Sequence, residues 1–295
     1  MLQLAQETIS GVSAGLIAST LTYPLDLVKT RLQADDSSGQ QSVPLMLLDI
    51  AKQQGISGLF VGITSEYVKV LVQNSIYFSS YSLFKNTVIS KESQPASALD
   101  LLLVGILAGA TTQIFVNPIS VIQTLQQTRS KAKHAEGFLL TLKSLIVEEG
   151  PGSLYKGITP ALVLTINPSI QFMVFDKLKS LWLRRKRANA GPSEAGESLT
   201  HAESFVIGAM AKALATLITY PYIMAKTRMQ SSSHAGGVIT LLLQIIRKNG
   251  ILAAYKGMQT QIIKSVLSTA LMFMFKDSIQ KHVKAALPTS MTVKI

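Results

Sequence analysis

The 295-residue chain has no cysteine, which excludes disulfides and thiol chemistry. Charge is scarce too. Only 15% of residues are charged, against about 25% in a soluble domain. Acids are the scarcer sign: 16 Asp and Glu face 28 Lys and Arg, a net charge of +12. That balance suits anionic lipid or an anionic small molecule. Nucleic acid is not expected as a partner, because aromatics make up only 6% and the basic residues lie scattered among apolar stretches. The four histidines, His134, His201, His234 and His282, lack metal-ligand spacing. There is no Gly-rich phosphate loop and no nucleophile elbow, so catalysis, a metal and a cofactor are not expected. The opening "MLQLAQETIS" has neither a basic n-region nor an arginine-rich amphipathic pattern, so neither a secretory signal nor a transit peptide is expected.

Apolar residues are abundant. They make up 47% of the chain, and the mean hydropathy is +0.32. An integral membrane protein is the class that fits.

One motif recurs. "YPLDLVKTRLQ" begins at Tyr23, "NPISVIQTLQQ" at Asn117 and "YPYIMAKTRMQ" at Tyr220, so Pro24, Pro118 and Pro221 are 94 and 103 residues apart. A second landmark keeps step. "QGISGLFVG", "EGPGSLYKG" and "NGILAAYKG" end at Gly62, Gly157 and Gly257, 95 and 100 residues apart. Two landmarks in phase define a threefold internal repeat, with units at 1–95, 96–190 and 191–295.

Each unit reads as a long apolar helix with the proline motif near its C-terminus, a polar loop, a short amphipathic helix such as "FLLTLKSLIVEEG", and a second long helix after the glycine. The long helices are predicted near 7–33, 62–88, 99–128, 157–184, 201–230 and 257–284, each close to the ~20 apolar residues that span hydrocarbon. Their polar residues Gln73, Asn74, Gln113, Asn167, Lys212 and Lys264 are expected to face an interior. Gly11 with Gly15, and Gly105 with Gly109, suggest close helix packing. The basic, then Gly/Pro/Ser-rich stretch Arg184 to Ser198 reads as a connector.

With these motifs the whole chain resembles the mitochondrial carrier family. The resemblance implies an all-α membrane protein of six transmembrane helices in a pseudo-threefold barrel, with a short amphipathic helix on the luminal side of each repeat. It also implies a monomer that exchanges anionic metabolites by alternating access. Stretches such as "VLVQNSIYF", "LTINPSIQF" and "GAMAKALATLITYP" are similar to the fungal branch that carries adenine nucleotides across the peroxisomal membrane. Carriers of NAD, coenzyme A and other nucleotide-like anions, peroxisomal or in the mitochondrial inner membrane, share parts of that pattern. An uncoupling-type proton leak and a scaffold of carrier descent are the readings from other classes.

In the family, the proline-motif charges form a ring of ion pairs that closes the cavity at the luminal end. Here the ring is depleted. Asp26 and Lys29 stand in repeat one, Ser120 and Gln123 in repeat two, Ile223 and Lys226 in repeat three, so one acid is left for two bases and Asp26 is expected to pair with one of them at most. The resemblance places Gln33, Gln127 and Gln230 as a brace beneath the ring. At the opposite gate, repeat two matches the aromatic-acid-x-x-base pattern with Phe175, Asp176 and Lys179. Repeat one has Tyr81, Ser82 and Lys85, and repeat three has Phe275, Lys276 and Ile279. Both gates are expected to be weak in ion pairs.

The residues that break the symmetry are the substrate candidates. The seventh position after each repeat glycine holds Lys69, Leu164 and Lys264, about 10 Å into each even helix, the level at which the family contacts substrate. The lysines suit phosphates, and Val163 with Leu164 offers a wall for a flat base. Lys212 stands where repeats one and two have Gly15 and Gly109; it reads as a phosphate contact or as the partner of an internal carbonyl or carboxylate. Glu66, one turn from Lys69, is positioned to pair with it. Asn74, Asn167 and Gln261 are further candidates for base or ribose, and Asn167-Pro168 also reads as a kink. The ligand expected overall is an adenine nucleotide.

Overall fold

The computed structural model describes residues 2–34, 42–88, 98–128, 137–189, 199–232 and 237–268, together with Leu271 and Phe275. Nearly every described residue is helical. In chain order the helices are α1 (Leu2–Ala34), α2 (Val43–Gln54), α3 (Ile63–Val88), α4 (Ala98–Thr128), α5 (Phe138–Glu149), α6 (Ile158–Val163), α7 (Asn167–Asn189), α8 (His201–Ser231), α9 (Val238–Asn249) and α10 (residues 258–268). The motif prolines lie inside α1, α4 and α8. Thr200 and Glu203 form a reciprocal capping box that starts α8.

Two sequence expectations change in the second repeat. The even helix predicted as continuous from 157 is broken: α6 gives way to a 3-10 turn, Leu164–Ile166, before α7 begins. Pro168 has no N–H to continue the α-ladder, and the Thr165 hydroxyl donates to the Leu162 carbonyl at 2.7 Å. Further on, α7 runs through the basic stretch to Asn189, so the connector starts later than predicted.

The short helices lie across the repeats and seal them with equivalent apolar clusters. Ile50 of α2 packs on Leu27, Val28 and Leu32. Leu145 of α5 packs on Val121 and Leu125. Val238, Leu241 and Ile245 of α9 pack on Tyr220, Met224 and Ala225. Helix α2 meets the segment containing α3 at 120°, so it lies across the direction of the long helices.

The long helices form a ring. The α3–α4 and α7–α8 seams are the most extensive, and α1 packs against α3, α4 and α8. Their outer faces carry exposed Leu103, Phe115, Phe78, Met173, Phe205 and Ile218, an apolar belt suited to hydrocarbon. By length and composition, three described helices can cross a membrane, or four if the bent α2–α3 pair is one span. The remaining long helices, α1 and α10, turn Asp26, Lys29, Gln261 and Lys264 to the ring's interior. The architecture is an all-α, six-spanning, pseudo-threefold barrel. Its glycine pairs act unequally. Gly109 lets α4 approach Thr165, where an added Cβ would lie 3.4 Å away, whereas a Cβ added at Gly15 would meet no atom of the described residues within 4 Å.

Candidate functional site

The ring is closed at the proline-motif end by a repeated relay that crosses from each repeat to the next. Gln127 Nε2 donates to Tyr23 Oη at 3.0 Å, and Tyr23 Oη donates to the Val61 carbonyl at 2.7 Å. Gln33 Nε2 donates to Tyr220 Oη at 2.9 Å, and Tyr220 Oη donates to the Lys256 carbonyl at 2.8 Å. Gln230 Nε2 donates to Asn117 Oδ1 at 3.3 Å, and Asn117 Nδ2 donates to the Leu154 and Lys156 carbonyls at 3.1 and 3.2 Å. The residue before each motif proline therefore ties its neighbour's glutamine to the carbonyl just before its own repeat glycine. Asparagine substitutes for tyrosine because its amide both accepts and donates. Thr124 and Thr227 donate to the oxygens of Gln230 and Gln33 at 3.1 and 2.9 Å. In repeat one Thr30 bonds its own helix, and Gln127 reaches Asp26 at 3.4 Å instead. Two guanidinium ties complete the seams, Arg31 to the Gln127 carbonyl at 2.8 Å and Arg228 to the Gln33 carbonyl at 2.9 Å. Leu125 holds the equivalent place in repeat two, so the α4–α8 seam has no such tie.

Above this floor lies a cavity of about 410 Å³. It collects Asp26, Lys29, Ser120, Gln123, Lys226, Gln127 and Gln230 from the motif positions, and Lys69, Leu164, Asn167, Lys212, Gln261 and Lys264 from the substrate candidates. Gln33 lies beneath it, fully buried. Two candidates are elsewhere. Val163 is 40% exposed and outside the cavity, because one helical step turns a side chain about 100° from Leu164. The Asn74 amide donates back to the Val70 carbonyl at 2.9 Å, off the cavity wall.

Charge in the cavity is organised by two carboxylates. Asp26 pairs with Lys29 at 2.7 Å and with Lys264. It therefore takes one of the two motif bases, as expected, but its second partner is a substrate candidate and not Lys226. Glu66 pairs with Lys69. Gln123 bridges that pair: its Nε2 donates to Glu66 at 2.7 Å and its Oε1 accepts from Lys69 at 2.8 Å. An amide can do both, which a lysine at that motif position could not. Lys212 Nζ lies 3.4 Å from Asn167 Oδ1 and has no carboxylate partner among the described residues. Lys226 has no hydrogen bond or ion pair among the described residues. Among the described residues five lysines thus face two carboxylates, an excess of three positive charges concentrated by low-dielectric walls.

The other end is unlatched. Asp176 and Lys85 are exposed, Lys179 is half-buried, and no ion pair joins them among the described residues. Tyr81 stacks on Tyr77 at 6.0 Å. Phe175 is half-buried, and Lys276 lies outside the described residues.

Sequence reasoning missed the partners of the glutamine brace. Their signal was present: Tyr23, Asn117 and Tyr220 precede the prolines, and Thr30, Thr124 and Thr227 recur one place after each base. It missed the capture of Lys264 by Asp26 because the two are 238 residues apart.

A three-repeat helical barrel with a cationic cavity, sealed at the proline-motif end, is the architecture of a membrane solute carrier. The family model described as "Mitochondrial carrier protein" matches residues 1–92, 94–186 and 197–286, and the chain belongs to that family. It is 32% identical to peroxisomal adenine nucleotide carrier 1 of Glycine max over 94% of this chain and 91% of the relative. It is 31% identical to peroxisomal adenine nucleotide transporter 1 of Saccharomyces cerevisiae over 95% and 92%. It is 30% identical to the peroxisomal nicotinamide adenine dinucleotide carrier of Arabidopsis thaliana over 95% and 96%.

Proposed function

We propose that this carrier exchanges adenine nucleotides across the peroxisomal membrane, taking cytosolic ATP in and AMP or ADP out by alternating access, and so supports fatty-acid activation and β-oxidation. The observation that carries the reading is the excess of three positive charges in a cavity with one apolar wall at Leu164. The names of the soybean and yeast relatives support both the nucleotide and the membrane. Lys212 and Lys226, free of carboxylates, receive phosphates first. Phosphate oxygens then compete with Asp26 for Lys264 and with Glu66 for Lys69. Each lysine won by substrate weakens the floor latch, so binding energy is spent on opening. Tyr81, Lys85, Phe175, Asp176 and Lys179 supply the opposite gate, with Lys276 as its third-repeat base. The protein works as a monomer in this reading, with its basic excess directed to cargo and to anionic lipid.

The test is exchange by purified protein in liposomes loaded with ATP and offered labelled ATP, AMP, NAD, coenzyme A or malate. Rapid ATP/AMP exchange is expected, lost in Lys69→Ala and Lys264→Ala. Exchange of NAD with ATP ignored would instead establish the second reading, a dinucleotide carrier, which the Arabidopsis relative favours. No exchange of any anion refutes both.

A further inference from the structure

A second cavity, about 430 Å³, opens on the wall between α3, α4 and α7. It shares Leu164 and Pro168 with the lysine cavity, so the two adjoin there. On α4 its residues, including Gly109 and Gln113, continue the helical face that carries Ser120, Gln123 and Gln127 lower down. The ten residues from Gln113 to Gln123 offset the two cavities by about 15 Å along α4.

Their chemistries are opposite. The lower cavity holds the lysines, whereas no charged residue lines the upper one among the described residues. Its walls are aromatic and amide: Tyr77, Tyr81 and Phe172 with Gln73 and Gln113. Tyr77 and Tyr81 stand as a stacked pair, centroids 6.0 Å apart and planes 27° apart. Opposite them α4 presents Gly105, where an added Cβ would meet only Tyr77 Oη, at 3.9 Å. The wall is thus flat at that point, and the space beyond it belongs to the cavity. Gln113 Oε1 is buried and has no hydrogen-bond partner among the described residues. A buried carbonyl oxygen without a donor is uncommon and calls for an explanation.

We infer that this upper cavity is a nucleobase subsite, in which Tyr77 provides the stacking face, the bare backbone at Gly105 provides the slot, and the Gln113 amide reads the edge of the ring. The inference rests on the nucleotide reading given above and adds which part of the ligand lies where. A neutral flat heterocycle fits an uncharged aromatic slot, since any base can stack on a tyrosine. A glutamine amide offers a donor and an acceptor side by side, the pattern that matches the amino group and adjacent ring nitrogen of adenine. Cytosine carries the same pair, at N4 and N3, but on one ring instead of two, so from the same ribose position its edge falls short of the amide. The phosphates then lie toward Lys212 and Lys226, in the adjoining cavity beyond Leu164 and Pro168.

The test compares ATP with CTP, which carry identical phosphates, in the liposome exchange assay. Wild type, Gln113→Leu and Gly105→Ala are measured, the last adding one methyl that clashes with no protein atom. The wild type is expected to favour ATP over CTP in KM. Both variants are expected to shrink that ratio about tenfold, through a higher KM for ATP. A variant that yields less folded protein lowers the maximal rate for both nucleotides alike, and the KM ratio still reports on the base. Wild type that carries both nucleotides with equal KM overturns the subsite while leaving nucleotide transport standing. Unchanged ratios in both variants overturn it as well. Wild type that carries neither nucleotide fails the underlying reading, and the subsite with it.

Discussion

Asp26 is the residue on which most of the closed end depends. It is 5% exposed and accepts from Lys29 at 2.7 Å, from Lys264 and from Gln127 at 3.4 Å. Asp26→Asn keeps the shape and removes the charge. Two lysine side chains, 15% and 23% exposed, are then left without a counterion. Stranding a buried partner costs about 3–5 kcal/mol; the partial exposure of these lysines argues for the lower end, about 3. That shifts the closed-to-open balance on the order of a hundredfold and lowers the melting temperature by roughly 6–12 °C. The cavity's excess rises from three positive charges to four, so a nucleotide binds more tightly and leaves more slowly. The expected kinetic signature is a fall in KM together with a fall in kcat. Melting in detergent and initial rates in liposomes read the two effects. Adding Lys264→Gln removes one stranded charge and should recover more than half of the lost melting temperature, because residues in contact are not additive. If Asp26→Asn leaves the melting temperature within about 2 °C of wild type and both kinetic constants unchanged, the carboxylate is not a latch and the reasoning fails.

The repeat glycines give a contrast. Gly157 has φ +70°, and a Cβ there would lie 3.1 Å from the Lys226 backbone carbonyl; Gly150 has φ +81° in open space; Gly137 has neither constraint. Alanine should therefore lower the melting temperature at 157, where a left-handed backbone and the close carbonyl act together, and at 150, where φ +81° with ψ 166° is a conformation that only glycine adopts freely and that costs about 1–3 kcal/mol, but not measurably at 137; a measurable loss at 137, or none at 150 or 157, refutes the argument. Lys226→Gln should raise KM for ATP about tenfold, the equivalent of one charge-assisted contact, and raise KM for AMP much less. Equal losses for both would show that Lys226 serves only the gate.

Much of the barrel was legible because threefold recurrence is a pattern that chemistry alone cannot imitate. The motif prolines, the glycines and the glutamines all occupy equivalent places in space. What stayed hidden was how the exceptions rearrange. Losing the acids of repeats two and three at Ser120 and Ile223 reads in one dimension as a depleted ring. In three dimensions the vacated partners are reassigned: Lys264 reaches down to Asp26, and Gln123 joins Glu66 and Lys69. Such choices depend on side-chain reach across helices far apart in sequence. Val163 and Asn74 failed as cavity residues for a more local reason, since one residue of helical phase, or a bond back to the preceding turn, turns a polar or apolar group away from the space it was assigned.

The relay also governs how the molecule can be built. The bond from Gln33 to Tyr220 spans 187 residues, and that from Arg228 to the Gln33 carbonyl spans 195. Two of the three seams close between repeats that follow one another in the chain, but this one joins the first to the third. Until α8 has been synthesised and inserted, Gln33 has no tyrosine to hold, and a buried amide without partners in hydrocarbon is costly. The first repeat must therefore wait in the membrane with an unfinished edge, and the barrel becomes a closed object only after α8 is in place.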